Sequence, residues 1–233
     1  MRRGLFSCIA AGIDVWYNKV KGCDDVIAEL AELNAYLADA QTRRAAYVRC
    51  EIASSLSERM NDTALTEAIL LGLSMAQGVQ QRILRSRGRG AVLTAKIRYR
   101  QGVWLLDGTA LTAQETAVLK MAHSIVADFI SLDETARFHA VYGWICTHVR
   151  YIHTAPGRKG YERLVCASGA LQDGQANCQG FADALYLLCG LAGIACEYRI
   201  GRGEKRLHVW NAVCLNGVWQ EVDVSKGARS AKD

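Results

Sequence analysis

Three side chains far apart in the chain have the types and the order needed for nucleophilic chemistry. Cys178 follows Gln175-Ala176-Asn177 and immediately precedes the apolar run Gln179 to Cys189; thirty residues on comes His208, and fifteen further Asp223. A thiol attacks a carbonyl only as the thiolate, and its pKa falls beside a helix N-terminus and an imidazolium. A carboxylate behind the imidazole fixes its tautomer and stabilises its charged form. The expected roles are nucleophile for Cys178, base for His208 and orienting group for Asp223. Singly, each residue has a plainer explanation: a buried thiol, a half-buried strand histidine, a strand-end carboxylate. Only the combination points to chemistry.

The combination depends on the elements that carry it. Residues 179–189, with Phe181, Leu185, Leu187 and Leu188 nearly continuous, read as a buried helix ended by Gly190 and Gly193. Cys178 would open that helix. Three strand-like runs follow, at 195–200, 207–215 and 218–224, and Asn216-Gly217 between the last two is a two-residue hairpin signal. That turn pairs Leu215 with Val218, so position 208 faces about position 225. Asp223 then lies diagonally across from His208 on the same sheet face.

Upstream, residues 24–42 carry apolar side chains at helical spacing, Tyr47 to Ile52 resembles a strand, and helical spacing runs from Leu65 through Leu84. Residues 91–99 alternate and 102–106 follow, which predicts a hairpin. This first part contains no chemical motif and is expected to be a mixed α/β accessory region, residues 1–110. Leu111-Thr112-Ala113-Gln114-Glu115 reads as a capping box that opens a catalytic domain, residues 111–233. Helices are expected over 118–130 and 134–148.

Composition narrows the function classes. A net charge of +5 over 233 residues is modest for a nucleic-acid binder. The basic run Arg82, Arg85, Arg87, Arg89, Lys96, Arg98 and Arg100 has no aromatic interleaving and reads as a solvated helix end, turn and edge strand. The nine cysteines are odd in number, irregularly spaced and without a Cys-x-x-Cys pair. Neither a disulfide framework nor a zinc site is expected, and a reducing, cytoplasmic compartment is the economical inference. Met1-Arg2-Arg3 and the apolar residues after it resemble a secretory leader, but the run is short and Asp14 follows closely, so a mature N-terminus is favoured. No stretch approaches the roughly 20 apolar residues of a membrane span. No nucleic acid, membrane, metal or cofactor is therefore expected as a partner.

With those residues in view, residues 111–224 resemble the transglutaminase-like superfamily, a branch of the papain-like cysteine enzymes. The resemblance rests on Gly169-Ala170-Leu171, on Asn177-Cys178-Gln179-Gly180-Phe181-Ala182-Asp183-Ala184, on Ala192-Gly193-Ile194, on His208-Val209-Trp210-Asn211 and on Gly217-Val218-Trp219 leading into Val222-Asp223-Val224. It implies an α+β fold, a Cys-bearing helix packed on an antiparallel sheet, with Cys178, His208 and Asp223 as the catalytic residues. The implied activity is cysteine-dependent acyl transfer on peptide or amide bonds of a protein or peptide substrate, through a thioester. Hydrolysis is preferred over transglutaminase-type cross-linking, since no acceptor site or calcium loop is visible. The alternative is a catalytically idle module that keeps the fold for peptide binding or structure. Gln172 lies six residues before Cys178, the separation papain-like enzymes use for an oxyanion glutamine, although the transglutaminase-like branch does not generally keep it. Trp210 and Trp219 are candidate cleft or substrate contacts. The chain also departs from the family's usual Thr-Trp-Asp-like continuation, with Ser225-Lys226-Gly227 after the aspartate.

Overall fold

The computed structural model describes residues 26–86, 90–108, 110–202 and 207–228. The leader-like segment and Arg87 and Arg89 of the basic run lie outside them. The chain divides between Arg98 and Tyr99 into two compact units.

In the first unit, helix α1 (Leu30–Thr42) buries Leu33, Leu37 and Ala40, one stripe of a helical face. It is followed by β1 (Tyr47–Ile52), α2 (Ser54–Arg59), α3 (Asp62–Gly72), β2 (Ala76–Ser86) and β3 (Gly90–Tyr99). The sheet order is β1-β3-β2, and β1 pairs antiparallel with β3 from Tyr47↔Lys96 to Ile52↔Ala91. Helical spacing through Leu84 is thus interrupted: α3 stops at Gly72, and β2 half-buries Val79, Gln81 and Ile83 while Gln80, Arg82 and Leu84 are exposed. A period of two decides that segment, and its apolar residues satisfy both periods on paper.

The second unit begins with α4 (Gln101–Asp107), where alternation alone suggests a strand. Its apolar run is short enough to be ambiguous, and burial of Gly102, Val103 and Leu105 selects the helix. Next come α5 (Ala113–Ala127) and α6 (Glu134–His148). The expected capping box is present, with Thr112 Oγ1 accepting from the Glu115 N–H at 3.2 Å and Glu115 accepting from the Thr112 N–H at 2.8 Å. Short β4 (Arg150–Tyr151) pairs parallel with β5 (Gln175–Ala176). Between them lie α7 (Tyr161–Leu164) and α8 (Ala167–Asp173).

The organising element is α9 (Cys178–Leu191), in which Phe181, Leu185, Leu187 and Leu188 are wholly buried. It packs against α4, α5, α6, α8 and the sheet that follows. Gly190 does not end it. Leu106 of α4 packs where a side chain would sit, 2.5 Å from the position of a Cβ, and the chain leaves the helix through Gly193 at φ +72°.

The sheet is antiparallel, in the order β6 (Cys196–Arg202), β7 (Leu207–Leu215), β8 (Val218–Val222). Asn216 and Gly217 both have positive φ, 51° and 80°, as a two-residue hairpin turn of the primed type requires. They pair Leu215 with Val218 and Asn211 with Val222. A last turn, α10 (Val224–Gly227), follows Asp223. Val213 and Leu215 join Phe138, Ile145, Phe181 and Leu188 in one core. The fold is α+β, with the Cys-bearing helix packed on an antiparallel sheet.

Candidate active site

Cys178 is the first residue of α9, and Asn177 caps the helix: its Oδ1 accepts from the N–H groups of Gln179 at 2.9 Å and Gly180 at 3.4 Å. The thiol therefore sits against the positive end of a 14-residue helix dipole, which favours the thiolate. The side chain is mostly buried, at 8% exposure. The neighbouring segment is held tightly. A Cβ at Gly180 would run into the carbonyl oxygen of Leu164 and stand 3.0 Å from the Ala176 methyl, so only glycine fits there.

His208 enters from β7, opposite Gly201 of β6. Its imidazole bridges two partners. Nε2 lies 2.8 Å from Asp223 Oδ2, and the ring also hydrogen-bonds the Cys178 thiol. With Asp223 on Nε2, Nδ1 is the nitrogen left for sulfur. The hairpin register accounts for Asp223: pairing continues from Leu215↔Val218 to Asn211↔Val222, and the next residue is the aspartate. Asp223 also accepts from Ser225, at 3.2 Å from the N–H and 2.6 Å from Oγ, and lies 3.6 Å from Lys226 Nζ.

Electrostatics follow from these contacts. The hydrogen bond that His208 donates to Asp223 first, then that with Cys178, raise the His208 pKa from 6.5 to about 9, against burial, which lowers it. Burial pushes the Asp223 carboxyl up, but hydrogen bonds from His208 and Ser225 and the nearby cations outweigh it and hold the value at about 2. The ring is consequently an imidazolium at neutral pH, able to donate from both nitrogens at once. An imidazolium beside a thiol at a helix N-terminus is the arrangement that ionises sulfur.

The remaining sequence candidates are distributed differently. Gln172 is exposed on α8, where its Oε1 accepts from Arg163 at 3.5 Å. Trp210 is half-buried and stacks on the His208 ring, with centroids 5.8 Å apart and planes 19° from parallel. Trp219 is 47% exposed on β8, opposite Cys214.

A polar network beneath α9 carries no sequence signal beyond an aspartate inside an apolar run. Asp183 is 0% exposed and accepts from the Gly102 N–H at 2.9 Å, the Ala167 N–H at 2.8 Å and the Tyr198 hydroxyl at 2.7 Å. It thereby ties α4, α8 and β6 to α9. Arg100, the last of the basic run, is not solvated but 2% exposed. Its guanidinium lies 5.1 Å from the Tyr198 ring centre, and Nη1 donates to Gln179 Oε1 at 3.2 Å. Gln179 Nε2 donates in turn to the Tyr161 hydroxyl at 3.2 Å. Gln179, the residue after Cys178, is thus anchored from both sides. A methyl on Gly102 would stand 2.9 Å from Asp183 Oδ1 and 3.0 Å from the Tyr198 hydroxyl, so the network also depends on that glycine.

Among the described residues, no three or more His, Cys, Asp or Glu side chains converge so as to hold a metal ion. No helix among them is long and apolar enough to cross a membrane.

The model of the family described as "Transglutaminase-like superfamily" matches residues 124–224, which include Cys178, His208 and Asp223. The chain is similar to Kyphoscoliosis peptidase of Mus musculus, 28% identical over 139 residues, covering 53% of this chain and 21% of that protein. The protein of the same name from Homo sapiens is 31% identical over 119 residues, covering 45% and 18%. The matched region thus spans about a fifth of the length of these curated relatives. Among solved structures, one titled "Crystal structure of a TGase" is 12% identical, with a TM-score of 0.43, covering 77% of this chain and 50% of that one. Residues 124–224 form a domain of the transglutaminase-like superfamily.

Proposed function

We propose that the chain is a cysteine-dependent acyl-transfer enzyme acting on peptide or amide bonds of a protein or peptide substrate, with Cys178 as nucleophile. The carrying observation is that one imidazole, on His208, hydrogen-bonds both the Cys178 thiol and the Asp223 carboxylate. The thiolate attacks the amide carbonyl, and the electron pair moves to oxygen. The backbone N–H of Cys178 is a candidate donor to that oxyanion. When the C–N bond breaks, the His208 imidazolium gives its proton to the departing amine, leaving a thioester. Neutral His208 then takes a proton from water as water attacks the thioester, and the thiolate leaves. Asp223 stays ionised throughout and steadies the ring charge.

Hydrolysis is the favoured outcome, and the peptidase names of the curated relatives support it. A lysine amine in place of water would yield a cross-link by the same steps. The test pairs turnover with labelling. Cys178→Ala should lower hydrolysis of peptide or glutamine-amide substrates on the order of 10⁴-fold or more. Iodoacetamide at mildly acidic pH should modify Cys178 ahead of the other thiols, and His208→Ala should remove that selectivity. Undiminished turnover in Cys178→Ala would end the assignment, and uniformly slow labelling would indicate an idle module.

A further inference from the structure

Trp210 is pinned from several sides in a way that core packing does not require. Its indole lies across Gly201 of β6, with Cη2 2.7 Å from where a Cβ would stand, so the strand beneath it must lack a side chain. Its N–H donates to Glu221 Oε2 on β8. The other oxygen of Glu221 lies 3.4 Å from Arg199 Nε, and Arg199 Nη1 is 2.6 Å from Glu197 Oε2. The ring face so presented meets the His208 imidazole nearly parallel, at a centroid distance of 5.8 Å.

We propose that Trp210 is a positioning residue, whose indole face holds the His208 ring in the orientation that reaches Cys178 and Asp223 together and favours its protonated state. The proposal deepens the acyl-transfer reading and rests on it for its catalytic consequence. Two hydrogen bonds locate the two nitrogens of the imidazole, and an aromatic wall restricts the remaining tilt of the plane. The face of an indole is electron-rich, so within about 6 Å it attracts a cation more than a neutral ring. A carboxylate on the indole N–H polarises the ring further in that direction. Trp210 transfers no proton; it acts through His208.

Among the described residues, two ionisable groups bear on His208 directly. Cys178 approaches from α9 and Asp223 from the turn after β8. Lys226 on α10 lies 3.6 Å from Asp223 Oδ2, and the Asp223 charge is also felt at Tyr142 on α6. Glu221 stands behind the indole, and the β6 position opposite His208 is Gly201.

The experiment is an NMR titration of the His208 ring in the full chain, comparing wild type with Trp210→Phe and Trp210→Leu, each also in a Cys178→Ala background. Phenylalanine keeps a π face, whereas leucine keeps apolar bulk without one. The expected order of midpoints is wild type, Phe, Leu, with the Leu variant lower by about half to one pH unit. In the active background kcat should fall with KM little changed, and the alkaline limb of kcat/KM should track the NMR midpoint. Glu221→Gln, which leaves ring and strand in place, should lower the midpoint by less and serves if Trp210→Leu does not fold. An unmoved midpoint in a folded Leu or Gln variant overturns the proposal, as does a Phe variant no better than Leu. Turnover surviving in Cys178→Ala would sink the reaction instead. The titration needs no substrate and judges Trp210 independently.

Discussion

Replacing Asp223 by asparagine keeps a hydrogen-bond acceptor beside His208 and removes the charge. In the native site the imidazole titrates at about 9 instead of 6.5, with the Asp223 bond as the largest contribution. Each pH unit corresponds to about 1.4 kcal/mol, so the surroundings favour the imidazolium by about 3 kcal/mol. The His208 side chain is 29% exposed and that of Asp223 13%, so solvent weakens the pair only in part. Loss of the carboxylate charge should therefore lower the midpoint by at least about one pH unit. Near pH 8.5 about three quarters of native molecules hold the imidazolium, and with a one-unit shift about a quarter of Asp223→Asn would. Protonation alone then costs about threefold in rate at that pH, and more for a larger shift, before any loss of ring orientation. The assay is the pH profile of Cys178 alkylation and of kcat/KM for a peptide amide, beside the NMR midpoint of His208. The alkaline limb should move from about 9 toward neutrality in all three. A midpoint that stays near 9 in the folded variant would refute the reasoning, because Asp223 would then not be the source of the shift.

The same pair predicts a stability profile. The folded His208 value lies above its unfolded one, so its contribution is full below about 6.5 and is lost as pH climbs through about 9; that of Asp223 is present above about 4 and is lost as pH falls through about 2. The thermal midpoint of the second unit should drop by several degrees between pH 7 and 9.5, and Asp223→Asn should flatten that drop in calorimetry. Asp183→Ala strands the Gly102 and Ala167 N–H groups and the Tyr198 hydroxyl in the interior; urea denaturation should show a loss of about 3 kcal/mol or more, and Asp183→Asn a smaller one. Gly180→Ala forces a methyl against the Leu164 carbonyl beside Cys178. It should cost about 2 to 3 kcal/mol and slow Cys178 alkylation in the folded fraction, and a neutral result would mean that the segment yields freely.

The site was more legible in the sequence than the frame around it, for a physical reason. A two-residue turn at Asn216-Gly217 fixes register without outside help, so the relation between His208 and Asp223 follows from counting. Cys178 is readable because helix N-termini announce themselves locally, here through Asn177. Elements whose identity depends on partners were not readable. Residues 102–106 are helical because α9 covers them, and residues 76–86 form a strand because they pair with β3. Arg100 resembles its exposed neighbours in composition, yet Tyr198 and Gln179 receive it in the interior. The Trp210–Glu221 bond needs both register and rotamer, and spacing supplies only the first.

The way Arg100 and Gly102 seat against α9 also governs how this protein can be cut down. A fragment beginning at Leu111 would discard both, leaving Asp183 short of a donor and the Tyr198 ring without the cation above it. The thiol would then ride on a helix whose underside had lost its keel. Any shortened version meant to keep that support under Cys178 must start no later than Tyr99, where the second unit begins.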